Sequence, residues 1–380
     1  MNAPGQRLRI AVLNRVFTPT AGGAERYSMA LVEQLAAEHE IHVFAQRIEH
    51  NWPGVTYHRL SAPLTRPRWI NQLWYDCASW WATRRGFDVV HSHENTWHGQ
   101  VQTVHVLPVK YKLFHGLRGW RLALRCLKVA TSPRLLTYLL LERQRFAPGR
   151  NKVIVLTSHT LHDLMRDAYP NRQLRVLAPG VDLPGAAPDQ HAARDRLGQP
   201  RAGRLLAFVA NDYQRKGLPT LLQALRLLPA DVQLAVVGNP APIERFSRQA
   251  TSMGLGSRVH FLGHLKDVTP LYEAADMLAH PTLEDTFGMV VLEAMAHGLP
   301  VVVSDARYCG IAGLLSSGRN AMILASPTDA AELAHVIERL LADPALRQQL
   351  AQGARQFAQQ HSWPSVAREQ ALIYRQLGSH

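Results

Sequence analysis

The segment His280–Asp305, HPTLEDTFGMVVLEAMAHGLPVVVSD, carries more acid than a buried helix and strand need. Asp285 and Glu293 flank a Phe-Gly pair, and Asp285 or Thr286 is expected to cap a helix beginning at Phe287. Gly288 would let a ligand come close, leaving the Phe287, Gly288 and Met289 amides as free donors at a positive helix end. That is the chemistry of an anion site. Glu293, on the helix face two turns further in, could accept hydrogen bonds from sugar hydroxyls, with Asp285 pointing elsewhere. A structural account stays open at this point: Asp285 as a cap and Glu293 in a salt bridge.

A second group is Arg215 and Lys216 in ANDYQRKG, at another strand-to-helix junction. With no acid beyond them, two adjacent fixed cations there would neutralise a diphosphate. As a merely solvated pair they would oppose the helix dipole. TAGGAERY places Gly22 and Gly23 in the first loop, where missing side chains admit a phosphate or simply make a tight turn. His91, His93 and His98, with Glu94, could in principle bind metal, but no further ligand pattern supports it and no Asp-x-Asp is present to hold a metal diphosphate. His105 ends a strand, as a substrate contact or a core histidine.

These groups need elements to hold them. LRIAVLN, a Gly loop and SMALVEQLAAE read as strand, loop and helix, the opening of a nucleotide-binding α/β unit. IHVFAQ, FDVVHSH, VQTVHV and KVIVLTS continue the strands. A Pro/Gly/Ala-rich stretch from Asp182 to about Gly203 reads as a linker. The alternation restarts with RLLAFVA, VQLAVVG, RVHFLGH, DMLAHP and PVVVSD, and helical patterns run from Pro327 to about His361 and from Pro364 to Leu377. Apolar strands separated by helices imply parallel sheets covered on both faces. The expectation is α/β, with two Rossmann-like domains facing a cleft, 1–180 and 181–362.

Composition agrees with two globular domains: 380 residues, 47% hydrophobic and 19% charged. Three scattered cysteines exclude a disulfide framework and fit a reducing cytoplasm. No leader pattern and no apolar run of spanning length is seen, so the chain is expected to be neither secreted nor integral to a membrane. The net charge of +13 is concentrated between Gln100 and Arg150, which holds ten Lys or Arg against the single acid Glu142. There Leu113, Leu117, Trp120, Leu124 and Leu127 form a helical apolar stripe, flanked by Arg118, Arg121, Arg125 and Lys128, with Lys112 nearby. Such a helix suits an anionic membrane surface; a core-facing helix with a basic solvent side is the alternative, and nucleic acid is the least favoured partner.

Taken together the motifs resemble the retaining glycosyltransferases of family 4, with the GT-B architecture. Asp285-x7-Glu293 is similar to that family's Glu-x7-Glu motif, followed by EAMAHGLPVVVSD; Arg215-Lys216-Gly217 is similar to its diphosphate-binding pair. The resemblance implies a catalytic set of Arg215, Lys216, Asp285 and His105. It implies a donor-binding set of Gly22, Gly23, Phe287, Gly288, Met289 and Glu293, with neither metal nor cofactor. Asp285 would hold sugar hydroxyls, Glu293 the ribose, and a terminal helix at about 363–380 would return to the first domain. YLLLERQRFAPGRNKVIVLTSHTLHDL, VLAPGVD and DYQRKG are similar to stretches of the lipopolysaccharide core glucosyltransferase I group. That likeness implies a nucleotide sugar donor, UDP-hexose by type, and a lipopolysaccharide or other lipid-linked acceptor. It also implies a cytoplasmic enzyme peripheral to the inner face of the membrane, touching anionic lipid through Lys112, Arg118, Trp120, Arg121, Arg125 and Lys128. The alternatives are a family 4 mannosyl- or N-acetylhexosaminyltransferase, and a non-catalytic binding protein.

Overall fold

The computed structural model describes residues 7–18, 23–149, 151–185 and 189–378. The chain divides into two compact units, Met1–Gly180 with Trp363–His380, and Val181–Ser362.

The first unit is built on β1 (Arg9–Leu13), β3 (Glu40–Ala45), β5 (Val55–Arg59), β6 (Val89–Ser92), β7 (Val101–Val104), β8 (Val153–Leu156) and β9 (Leu174–Val176), while β2 (Val16–Phe17) and β4 (Arg47–Ile48) form a short separate pair. The seven run parallel in the order β5-β3-β1-β6-β7-β8-β9. Alternate residues of β1 point to opposite faces. Ile10 and Val12 join a core with the helices Gly23–Leu35 and Trp363–Gly378; Ala11 and Leu13 pack with Phe44, Val90 and Ala82. The closing helix is thus part of the first unit, its Tyr374 hydroxyl hydrogen-bonded to His91 Nδ1 at 2.5 Å.

The second unit holds β10 (Arg204–Ala210), β11 (Val232–Gly238), β12 (Val259–Gly263), β13 (Met277–His280), β14 (Val301–Ser304) and β15 (Met322–Leu324), parallel in the order β12-β11-β10-β13-β14-β15. β10 and β11 are apolar at every buried position, and β13 and β14 at every one but their last, His280 and Ser304, which is why the repeat shows in the sequence.

The structure refines two readings and corrects a third. The linker is not irregular throughout: Asp189 caps a helix, Gln190–Arg196, whose buried Arg194 donates to Asp276 Oδ2 at 2.9 Å and to three backbone carbonyls at 3.1 Å or less. The tail pattern from Pro327 breaks at Asp343, which caps the helix Pro344–Gln360 after Ala330–Ala342. The basic stripe is not one helix. Gly116 and Gly119 take φ of +73° and +55°, turning the chain between Val109–Phe114 and Gly119–Ala130, so Leu113 and Leu117 leave the line of Trp120, Leu124 and Leu127.

Asp76, on the helix Arg68–Thr83, is fully buried with Oδ2 unpartnered among the described residues. Burial, with Glu94 adding to it, pushes its carboxyl up to about 8. The folded chain therefore keeps a proton that an unfolded Asp sheds near pH 4, so this group's stabilisation is full below about pH 4 and is lost as pH rises toward 8. Asp76→Asn is expected to raise the thermal midpoint by several degrees at pH 8 and leave it nearly unchanged at pH 4. Equal midpoints at both pH values would refute this.

Candidate active site

In the second sheet β10 and β13 are neighbours, and the connections leaving them run outward in opposite directions. The loops at their carboxyl ends therefore diverge at a topological switch point, where open α/β sheets bind ligands. These loops carry Arg215–Lys216 and Asp285–Met289. In the first sheet the equivalent neighbours are β1 and β6, whose ends lead to Gly23 and to His91 and His93.

Asp212 organises the first loop: its Oδ1 accepts from the Arg215 amide at 3.0 Å and its carbonyl from the Lys216 amide at 2.9 Å. Gly217 follows with φ +87°, and a Cβ there would lie 1.8 Å from the Pro281 carbonyl oxygen. Only glycine permits both the backbone angle and the approach. The Leu283 amide then donates to the Arg215 carbonyl at 2.9 Å, lacing the two loops together.

That lacing sets the side chains. Lys216 Nζ lies 2.5 Å from Asp285 Oδ2 and donates to the Glu284 carbonyl at 3.0 Å, with the lysine and aspartate side chains each 18% exposed. His280 Nε2 approaches the same carboxylate oxygen at 3.2 Å from the buried end of β13. Burial alone would raise the Asp285 pKa, but hydrogen bonding and charge from His280, with the Lys216 ammonium, hold the carboxyl well below the usual range. Asp285 thus turns from the Glu293 face, as the sequence suggested, but toward a partner the sequence did not name, Lys216. Nor are the cations free of acids. Arg215, half-exposed, stands 4.0 Å from Asp212 and 3.9 Å from Glu284.

The helix begins later than expected, at Met289, and neither Asp285 nor Thr286 caps it. Gly288 occupies the cap position at φ +100°, close against Cys309 Sγ. Phe287 is buried, its amide donating to Asp285 Oδ1 at 3.3 Å and its carbonyl accepting from Ile311 at 2.7 Å. Phe287 is therefore not a free donor. The Gly288 and Met289 amides have no acceptor among the described residues, which leaves two donors at the helix start. Glu293 accepts from the Tyr272 hydroxyl at 2.7 Å.

In the first unit Gly22 lies outside the described residues, and Gly23 opens a helix with nothing within 4 Å of where a Cβ would sit. His91 is a core residue, bonded to Tyr374 and to Thr103 Oγ1 at 2.7 Å. His105 follows β7; its Nε2 lies 3.1 Å from His93 Nδ1, and Tyr27 meets its ring edge-on at 4.9 Å. Burial and the Arg145 charge pull the His105 pKa down to about 3, so the ring is neutral at ordinary pH. Among the described residues, no three His, Cys, Asp or Glu are grouped to hold a metal.

The basic segment shows the reverse of a core-facing helix. On Gly119–Ala130 only Val129 is buried, while Trp120, Leu127 and Leu124 are 69%, 62% and 56% exposed. Lys112, Arg118, Arg121 and Lys128 are exposed and Arg125 half-buried.

Comparison with known proteins places the chain in a family. Residues 21–184 match the description "Glycosyltransferase Family 4" and residues 189–357 match "Glycosyl transferases group 1". The D-inositol 3-phosphate glycosyltransferase of Frankia alni is 31% identical over 94% of this chain and 95% of its own. The chain belongs to the group 1, family 4 glycosyltransferases. The lipopolysaccharide glucosyltransferase WaaG of Escherichia coli is 30% identical over 62% of this chain and 65% of its own length. A crystal structure of WaaG superposes with a TM-score of 0.78 at 23% identity, over 96% of this chain and 99% of that one. Anabaena HepE, solved in complex with UDP-glucose, superposes at 0.73 and 19% identity over 98% and 100%. Both superpositions show the two Rossmann-like domains of the GT-B fold. The matched stretch spans between about half and two thirds of the length of most curated relatives, including WaaG.

Three residues of this candidate site escaped the sequence reading: His280, Tyr272 and Cys309. His280 had a signal, a polar ring ending an otherwise apolar strand beside a proline. Tyr272 and Cys309 had none, because their partners are distant in sequence.

Gly217 gives a direct test of the laced loops. Gly254, with φ +75° and open space around it, serves as control: Gly254→Ala should cost about 1 kcal/mol from backbone strain alone. Gly217→Ala should cost roughly 3 kcal/mol, because the Pro281 carbonyl must also move. Equal costs by urea unfolding would show that the loops are not held in this contact.

Proposed function

We propose that the protein transfers a sugar, with retention of anomeric configuration and without a metal, from a nucleotide diphosphate sugar of the UDP-hexose type to a membrane-associated acceptor, the core of lipopolysaccharide. The observation that carries this reading is the pairing of Lys216 with Asp285, on a loop followed by the Gly288 and Met289 amides that have no acceptor among the described residues, at the switch point of the second sheet. Two cations and two amide donors on loops laced to each other suit a departing diphosphate, and fixed donors of this kind do most to lower the barrier when charge develops on a leaving group. The relatives add support: WaaG is named for lipopolysaccharide, and HepE was solved with UDP-glucose.

In this mechanism the bond from the sugar's anomeric carbon to the diphosphate oxygen breaks while a bond to the acceptor hydroxyl oxygen forms on the same face. The acceptor's proton passes to the departing diphosphate, so no side-chain nucleophile is required. Arg215 and Lys216 balance the charge that the diphosphate gains. Asp285 holds Lys216 in place and accepts from sugar hydroxyls through its partly exposed carboxylate, and Glu293, steadied by Tyr272, takes the ribose. His105, neutral, is the first unit's candidate for a substrate hydroxyl. The exposed Trp120, Leu124 and Leu127, with the surrounding Lys and Arg, suit the anionic inner face of a membrane and make the enzyme a peripheral protein there. The near full-length match to an inositol phosphate enzyme favours a second reading, a soluble phosphorylated acceptor.

Incubation with a panel of nucleotide sugars and candidate acceptors should give nucleoside diphosphate release with one donor. Lys216→Ala should lower kcat by on the order of a hundredfold or more; unchanged turnover would remove Lys216 from the mechanism. The joint variant Leu124→Ser with Leu127→Ser should lose most sedimentation with vesicles containing phosphatidylglycerol while retaining turnover of a soluble acceptor. Undiminished sedimentation would remove this helix from the membrane contact.

A further inference from the structure

The helix Arg68–Thr83 is inverted relative to an ordinary surface helix. Its protein side is made of Asn71, Gln72, Tyr75, Asp76, Ser79 and Thr83, all buried. Outward it presents Trp74, Trp80 and Trp81, of which Trp81 is 63% exposed. Trp74, Cys77 and Trp81 follow at helical spacing on one side, and the Arg84 guanidinium sits 3.5 Å over the Trp81 ring. Leaving this aromatic surface in water forfeits burial that a simple exchange of faces would recover.

Charge identifies what covers it. Between Leu60 and Phe87 the basic residues are Arg66, Arg68, Arg84 and Arg85, all exposed, and the only acid is Asp76, which is fully buried. Within this stretch the surface therefore combines indole rings with cations, its one acid being buried. Indoles favour the boundary between headgroups and acyl chains, and guanidinium groups pair with lipid phosphates. The face also continues a neighbouring one: the helix packs on Pro133–Arg145, which exposes Leu136 and Leu140 and packs in turn on Gly119–Ala130.

We propose that the Trp74–Trp81 face, with Arg84 and Arg85, is a second contact for anionic lipid headgroups, separate from Trp120–Lys128. The inference rests on the reading of the protein as membrane-associated, and supplies a second foothold that fixes the orientation of the first unit on the bilayer.

The test uses the full-length protein and vesicles of phosphatidylethanolamine with or without phosphatidylglycerol. Trp74→Ser with Trp81→Ser should weaken sedimentation with anionic vesicles by on the order of tenfold while the Leu124/Leu127 helix is intact. Adding those changes to Leu124→Ser with Leu127→Ser should abolish it. Because serine could disturb folding, the milder Trp74→Phe with Trp81→Phe variant is read by fluorescence with brominated lipid: the wild type should be quenched clearly more than this variant. Equal quenching, or wild-type sedimentation by the serine variant, overturns the second contact while leaving the first standing. A wild-type protein that ignores all vesicles overturns both. A dimer in sedimentation velocity that the serine variant dissociates assigns the face to a second copy of the chain instead.

Discussion

A lysine and an aspartate that face each other at 2.5 Å with little water around them constrain everything nearby. Such a pair is tolerable only when its geometry is good and the remaining lone pairs are occupied, and removing one partner leaves an uncompensated charge. Here the occupancy is supplied by the Glu284 carbonyl on the lysine side and by His280 and the Phe287 amide on the aspartate side. The contact in turn demands that two loops meet, which Gly217 allows at one end and Gly288, with its left-handed backbone, at the other. Sheet order comes first in this chain of dependence, since only adjacency of β10 and β13 brings the loops within reach.

The first unit is arranged differently. Its polar groups are gathered inside: Glu142 accepts from the amides of Val109 and Lys110 and from the Tyr169 hydroxyl at 2.7 Å, and Arg145, one turn on, holds Gln102 and the Thr103 carbonyl. One helix thereby fixes both the strand that leads to His105 and the start of the basic excursion. A buried acid in a region of ten cations is needed as an anchor for those amides, which explains why Glu142 alone interrupts the basic run.

The strands, their order of appearance and the loops carrying chemistry were legible because parallel sheets covered on both faces require apolar runs, and runs survive as a pattern in the chain. The Arg215–Lys216 and Asp285–Glu293 groups were legible as types. Their relation was not, because Lys216 and Asp285 are 69 positions apart and their contact is decided by how the loops pack. Local rules also failed where a glycine took positive φ: Gly288 moved the helix start past the residues best suited to cap it, and Gly116 with Gly119 split a stripe whose spacing suggested one helix. Arg194 was missed for a related reason, since a Pro/Gly/Ala-rich stretch looks like a tether whatever its cations do.

Asp276 carries a consequence for how the second unit could be separated from the rest. Its carboxylate takes the Arg194 guanidinium and the Leu205 amide together, at 2.9 and 2.8 Å, so the crossing segment is clamped to the first residues of β10. A fragment cut at the start of that strand would strip the acid of the buried Arg194 and leave it only Arg204, at 3.9 Å. One beginning before Asp189 would keep the cap and the buried cation, so the natural boundary for excision lies some fifteen residues upstream of the first strand of this unit, inside what reads as spacer.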